Sequence, residues 1–237
     1  MNDESKNVTV ITSRLGPMPC SLALALLDAG WIPLIINMRS AEPRRSLRTV
    51  LANFGLGYVV KRAADFILFK VWLRVNSRRL SEVRIVDLDK SRWDEIFALK
   101  ESSQLLVCSS LRFKVPSKLI NTRTPVLNLH PAPLPGWRGP DPIYWMRKRH
   151  ERRYGVSLHE VTEAFDEGDV YFQKDVRVRM PITNGCVELA LSRLVKRYAA
   201  QWAESISSGT ARPNRQGEGR YWPLPSKKNV RRLRSAV

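Results

Sequence analysis

From Val8 to Asn128 short β-branched runs alternate with stretches of helical spacing, and few folds accommodate that alternation. Val8–Thr12 predicts a first strand, Ser13–Met18 a loop, and Pro19–Ala29 a helix opened by a proline and closed by Gly30. Trp31–Ile36 predicts the second strand. Val83–Val86 and Leu105–Cys108 predict two more, with a helix over Arg92–Lys100 between them, and Val126–Asn128 a short strand that runs into a polar segment. After the proline-rich turn His130–Pro142 the pattern changes. Gly155–Val161 and Asp169–Val178 alternate as paired strands about a turn at Asp166–Gly168, and Asn184–Ser207 predicts a last long helix. The expected fold class is α/β, a mostly parallel sheet flanked by helices, with ligands gathering at the carboxyl ends of the strands.

A chain of 237 residues with 43% apolar content can bury the core this sheet needs as one domain with a short appendage. Cys20, Cys108 and Cys186 lie far apart with no CxxC pair, which argues against a disulfide framework or a structural zinc site and leads us to expect no metal. The start MNDESKNVTV has acids where a signal peptide needs a basic region, and no apolar run is long enough to span a bilayer, so a cytoplasmic location is expected. The excess of 40 Lys and Arg over 22 Asp and Glu, a net +18, favours anionic partners without choosing among them.

Tyr58–Leu80 is an unusual insert. Phe66, Ile67, Phe69, Val71, Trp72, Leu73 and Val75 interleave with Lys70, Arg74 and Arg78, whose spacing of four puts the cations on one side of a helix. The first reading is an ordinary surface helix; the second is weak contact with an anionic membrane surface, peripheral to the inner membrane face. The segment Arg212–Arg234 carries eight basic residues against Glu218 and includes Tyr221, Trp222, Pro223 and Pro225, which predicts a packed arm followed by a basic end.

The segment that bears on chemistry is Asn128-Leu-His130-Pro-Ala-Pro-Leu-Pro-Gly-Trp-Arg138-Gly139-Pro. Asn128 and His130 are two apart on one strand, so both side chains leave the same face at the sheet's end. Acyl transfer to an amine needs donors where charge appears on the carbonyl oxygen, which an amide beside an imidazolium supplies, and a group to manage the amine's proton. A carboxylate near His130 would orient the ring and raise its pKa, and Asp166 sits in a turn able to offer one. The first loop, with Arg14, precedes a helix N-terminus that could meet an anion. His150 lies among Arg147, Lys148, Arg149, Arg152 and Arg153 and reads as part of a solvated loop; His159 reads as a pocket-wall residue.

The ordered set Asn128-Leu-His130, Arg138-Gly139, Gly155-Val-Ser-Leu-His159 and Asp166-Glu-Gly168 resembles the motifs of the formyltetrahydrofolate-dependent formyltransferase family, which includes glycinamide ribonucleotide, methionyl-tRNA and nucleotide-sugar enzymes. The resemblance runs from about Val8 to Gly209. It implies a Rossmann-like formyltransferase fold, a catalytic domain over residues 1–209, and a basic tail over 210–237. It also implies N10-formyltetrahydrofolate as formyl donor, and Asn128, His130 and Asp166 as catalytic residues that polarise the formyl oxygen and place a proton-relaying water. Ser110–Val115 resembles the loop that clasps the pterin against the Asp-x-Gly loop, so Leu111, Arg112, Lys114 and Asp166 are the expected folate contacts. Arg14, Arg138, Gly139 and Trp145 are expected on the acceptor side. There Ala132-Pro133 stands in place of the family's usual Ser-Leu, and Pro140–Trp145 is also divergent.

The resemblance implies an N-formyltransferase acting on a small primary amine, expected to be phosphorylated, such as a nucleotide-linked amino sugar. A homodimer is compatible with it. Methionyl-tRNA formylation is the alternative favoured by charge; against it, the tRNA enzymes carry a further C-terminal domain, and 28 residues follow Gly209 here (237 − 209). The remaining alternatives are formyltetrahydrofolate hydrolysis and a non-catalytic binder of RNA or a membrane surface.

Overall fold

The computed structural model describes residues 6–39, 48, 50–51, 55–89, 91–120, 125–179 and 183–226. Seven strands form one sheet: β1 (Asn7–Thr12), β2 (Ile32–Arg39), β3 (Arg84–Asp89), β4 (Leu105–Ser109), β5 (Val126–His130), β6 (Arg153–Glu160) and β7 (Val170–Arg177). Their order is β3-β2-β1-β4-β5-β6-β7. The pairs from β3 through β5 are parallel, and β6 and β7 add antiparallel at one edge. The chain therefore has the Rossmann-like, mostly parallel sheet expected. β1 pairs with β2 on one side and β4 on the other, the switch point at which open sheets of this type leave a crevice at the carboxyl ends.

The described helices are α1 (Pro17–Asp28), α2 (Leu56–Val75), α3 (Ser77–Leu80), α4 (Trp93–Glu101), α5 (Ser117–Ile120), α6 (Pro142–Lys148) and α7 (Asn184–Ser207). On one face of the sheet α1 and α7 bury Leu22, Leu26, Leu191, Val195 and Trp202 against Val10, Val107, Leu127 and Leu129. The stacked rings of Phe172 and Tyr198 flank Trp202 at 5.7 and 6.0 Å. On the other face, Ile96 of α4 and Leu119 of α5 pack on Ile11, Ile36, Leu106, Cys108 and Val126. Thr183 caps α7 by accepting the Cys186 N–H at 3.2 Å.

Several elements differ from the sequence expectation. α1 begins at Pro17, two residues early, because a proline costs nothing in a first turn whose N–H groups have no intrahelical acceptor. β2 and β5 run longer, to Arg39 and His130, since a neighbouring strand is present to take up their backbone groups. α6 lies at the end of the segment read as a turn and buries Ile143, Tyr144, Trp145 and Met146. The Tyr58–Leu80 insert is two helices: Asn76 ends α2, its side-chain amide donating to Trp72 O at 2.7 Å, so Arg78 lies beyond the break from Lys70 and Arg74.

Strand β5 sets the site. Leu127 and Leu129 lie in the α1/α7 core, which turns Val126, Asn128 and His130 to the opposite face. Leu127 is fully buried. Leu127→Ala should lower the unfolding free energy by about 2–5 kcal/mol, measured by urea denaturation.

Candidate functional site

Pairing carries the first contact. In the antiparallel register of β5 with β6, Asn128 lies opposite His159 and His130 opposite Ser157. Asn128 Nδ2 donates to His159 Nε2 at 3.1 Å and to Asp166 Oδ1 at 3.2 Å. His130 Nδ1 and His159 Nε2 approach the same carboxylate oxygen at 3.5 and 3.4 Å. The other oxygen, Oδ2, accepts the Gly139 N–H at 2.8 Å. The amide, imidazole and carboxylate singled out in the sequence thus meet at one point, with His159 as a fourth member. His130, His159 and Asp166 each bring a donor atom within 4.8 Å of the others, a set that could also hold a metal ion.

Asp166 reaches in from a turn that few residues could form. Its own φ is 56°, and Gly168 has no room for a Cβ, which would stand 2.1 Å from Glu160 O. The segment read as a tail locks the turn in place. Gln216 Nε2 donates to Asp166 O at 3.0 Å and to Gly168 O at 2.6 Å, and its Oε1 accepts from the Arg138 guanidinium at 3.2 Å. Tyr221 bridges Arg138, the Trp222 ring stacks on Trp137 at 4.8 Å, and the Trp222 carbonyl takes the space a Cβ on Gly139 (φ 111°) would need. Residues 227–237 of the basic end lie outside the described residues.

The hydrogen bonds fix the tautomers. His130 Nε2 faces the Trp137 carbonyl at 2.7 Å and His159 Nδ1 the Glu160 carbonyl at 2.7 Å; a carbonyl only accepts, so both nitrogens carry hydrogen. His159 Nε2 is then the acceptor of the Asn128 amide. His130 Nδ1, turned to Asp166, is a lone pair in the neutral ring and an ion-pair donor in the charged one. Burial pulls the His130 pKa below its usual value and outweighs Asp166, which opposes the shift. The net direction corrects the expectation of a raised pKa: at neutral pH the ring is imidazole, because desolvation costs more than one carboxylate at 3.5 Å returns. Burial pushes the Asp166 carboxyl up, but His130, His159 and the Gly139 amide hold it at about 2. With His130 neutral, the Gly139 and Asn128 N–H groups are the donors that keep that charge in place.

The remaining expected residues fall in three places. Leu111, Arg112 and Lys114 follow β4 beside β5: Leu111 is half-buried, Arg112 is exposed with its backbone N–H donating to Ser13 Oγ at 3.0 Å, and Lys114 pairs with Glu163 at 2.8 Å. That pair ties the 110–115 loop to the loop carrying Asp166. Arg138 and Trp145 are buried under the arm, Arg138 on Gln216 and Gly217 and Trp145 donating to Pro223 O at 2.7 Å. Arg14 is joined to Glu188 of α7 at 2.7 and 2.8 Å and lies over the Phe69 ring. His150, in its charged loop, has φ 58°. The packed arm with Tyr221 and Trp222 was expected, but not that it brings Trp222 onto Trp137 and Gln216 onto the Asp166 turn. Asp141, the residue before α6, escaped the sequence reading; burial pushes its carboxyl up to about 6, against the Tyr144 backbone N–H, Arg62 and Arg14.

A family model described as formyl transferase matches residues 98–197, the span from α4 through the site into α7. Methionyl-tRNA formyltransferase of Coprothermobacter proteolyticus is 40% identical over 67 residues, 28% of this chain and 22% of that protein. That of Anaeromyxobacter dehalogenans is 29% identical over 122 residues, 46% of this chain and 39% of its own length. The chain therefore spans well under two thirds of these relatives. Phosphoribosylglycinamide formyltransferase from Anaplasma phagocytophilum superposes with a TM-score of 0.60 at 16% identity, over 93% of this chain and 99% of that one. A sugar N-formyltransferase from Shewanella gives 0.61 at 15%, over 92% and 76%. HypX from Aquifex aeolicus, in complex with tetrahydrofolic acid, gives 0.61 at 18%, over 94% and 30%. These likenesses show the fold.

The shifts at His130 and Asp166 act on stability with one sign. Below about pH 6.5 the unfolded chain binds a proton on His130 that the folded protein disfavours, so stability falls with pH there. Asp166, at about 2 folded, adds stability that is present above about pH 4 and lost as pH drops towards the folded value. The urea midpoint should decline between about pH 7 and pH 5, and the decline should be shallower in His130→Asn. Equal slopes would contradict burial as the cause.

Proposed function

We propose that this chain of the formyltransferase family moves the formyl group of N10-formyltetrahydrofolate onto the primary amine of a small, phosphorylated acceptor such as a nucleotide-linked amino sugar. The convergence of Asn128, His130 and Asp166 on one point carries the reading. Asn128 is half-buried while His130 and His159 are buried, so the amide is the member that meets the reactants. As the reactants enter, one of its two N–H groups leaves His159 Nε2 and donates to the formyl oxygen as charge gathers there during attack by the amine nitrogen. The new C–N bond forms, the bond to N10 of the folate breaks, the amine gives up a proton, and N10 receives one. His130, neutral with Nδ1 toward Asp166, takes the proton through a water, and the Asp166 charge stabilises the imidazolium so formed. On this reading the 110–115 loop and the Asp166 loop, joined by Lys114–Glu163, hold the folate between them.

The methionyl-tRNA formyltransferase relatives support a second reading, with the amine of an aminoacylated initiator tRNA as acceptor and the +18 surface as its electrostatic footing.

Purified protein with N10-formyltetrahydrofolate and a panel of amino-sugar nucleotides should release tetrahydrofolate. Asn128→Ala, His130→Ala and Asp166→Ala should each cut kcat by roughly 10²–10⁴-fold. Full turnover in any of the three ends the assignment of that residue. Formylation of initiator tRNA with none of the sugar nucleotides would replace the first reading by the second, and folate release without any amine would replace both by hydrolysis.

A further inference from the structure

Helix α2 carries a feature that the site chemistry does not use. Leu56, Val60, Ile67, Val71 and Val75 are 56–78% exposed, and their spacings of four and seven stack them along one side of a helix about 30 Å long. Its opposite side is held: Asp65 accepts the Gly185 N–H at 2.8 Å, Phe69 lies under Arg14, and Trp72 and Leu73 pack on the core. A run of five branched aliphatic side chains turned to water is the kind of patch that marks an interaction surface.

The charges on the helix say what covers it. Lys61, Arg62, Lys70 and Arg74 are exposed, and Asp65, the helix's carboxylate, is buried. Lys70 stands 4.7 Å over the exposed Phe66 ring, a cation against an apolar side chain as at a lipid–water boundary. A second copy packed on this stripe would bring cations against cations with no exposed acid of the helix to answer them. A nucleic acid, which stacks on rings, would find five aliphatic groups and one ring, Phe66, already covered by Lys70. An anionic lipid surface accepts both the aliphatic stripe and its cationic flank.

We propose that α2 seats the protein on an anionic bilayer surface, with Leu56, Val60, Ile67, Val71 and Val75 entering the headgroup boundary and Lys70 and Arg74 meeting the lipid phosphates. The inference stands apart from the formyl-transfer reading, since none of these residues belongs to the Asn128–His130–Asp166 site. It also separates this helix from general basic adhesion, because stripe and charge must act together.

Flotation of the full chain with phosphatidylcholine vesicles, with and without phosphatidylglycerol, tests it. Binding should require phosphatidylglycerol and weaken at high salt. Ile67→Ser with Val71→Ser, which leaves the charge unchanged, should weaken it by about tenfold or more, as should Lys70→Glu with Arg74→Glu. Circular dichroism checks that the variants stay folded, and Val75→Ser alone serves if the pair disturbs folding. Absence of binding would overturn the proposal. So would phosphatidylglycerol binding that the serine variants leave intact, the mark of charge acting elsewhere on the surface. A dimer in light scattering that the serine variants dissociate would assign the stripe to a second copy.

Discussion

The Asp166 carboxylate is the point on which the site depends. It is almost fully buried, and a buried charge persists only where donors meet it. Here they are the Asn128 amide from β5 and the Gly139 backbone N–H from the loop after β5, with the two imidazoles of β5 and β6 standing beside the same carboxylate. Each of these groups is placed by a different constraint. Leucines 127 and 129 turn Asn128 and His130 to their face, the antiparallel register sets His159 opposite Asn128, and a crowded contact with Trp222 holds Gly139 at its positive φ. The charge and the local fold stabilise each other, so moving one donor leaves the others facing an unsatisfied oxygen.

Much of this was legible in the sequence, for a physical reason. The βαβ alternation and the period-two placement of Asn128 and His130 are local patterns, and local patterns fix strand identity and face. Asp166 was legible as a turn residue because Gly168 stands two positions on. The reach of Gln216 and Trp222 was not, since contacts across about 80 residues leave no periodic trace; Tyr221-Trp222 marks a segment that packs without saying on what. The sign of the His130 shift was hidden for another reason. A carboxylate neighbour can be read from a motif, whereas the depth of burial that outweighs it is a property of the folded chain.

The arm changes what the acceptor-side residues do. Arg138 and Trp145 were expected to face a substrate, yet the Arg138 guanidinium is occupied by Gln216 and Gly217, and the Trp145 indole by the Pro223 carbonyl. Through these contacts they clamp residues 214–223 over the loop that carries Gly139 and hence hold one of the donors to Asp166. On the reading proposed above, acceptor choice then falls to the groups this clamp leaves nearby. Asp141 is one, two residues beyond Gly139, where burial has raised its carboxyl to about 6. A carboxyl at that value is partly ionised near neutral pH and responds to any cation brought beside it. The cations that face it here are Arg62 and Arg14, and a segment of two residues joins it to Gly139, whose N–H meets the Asp166 charge.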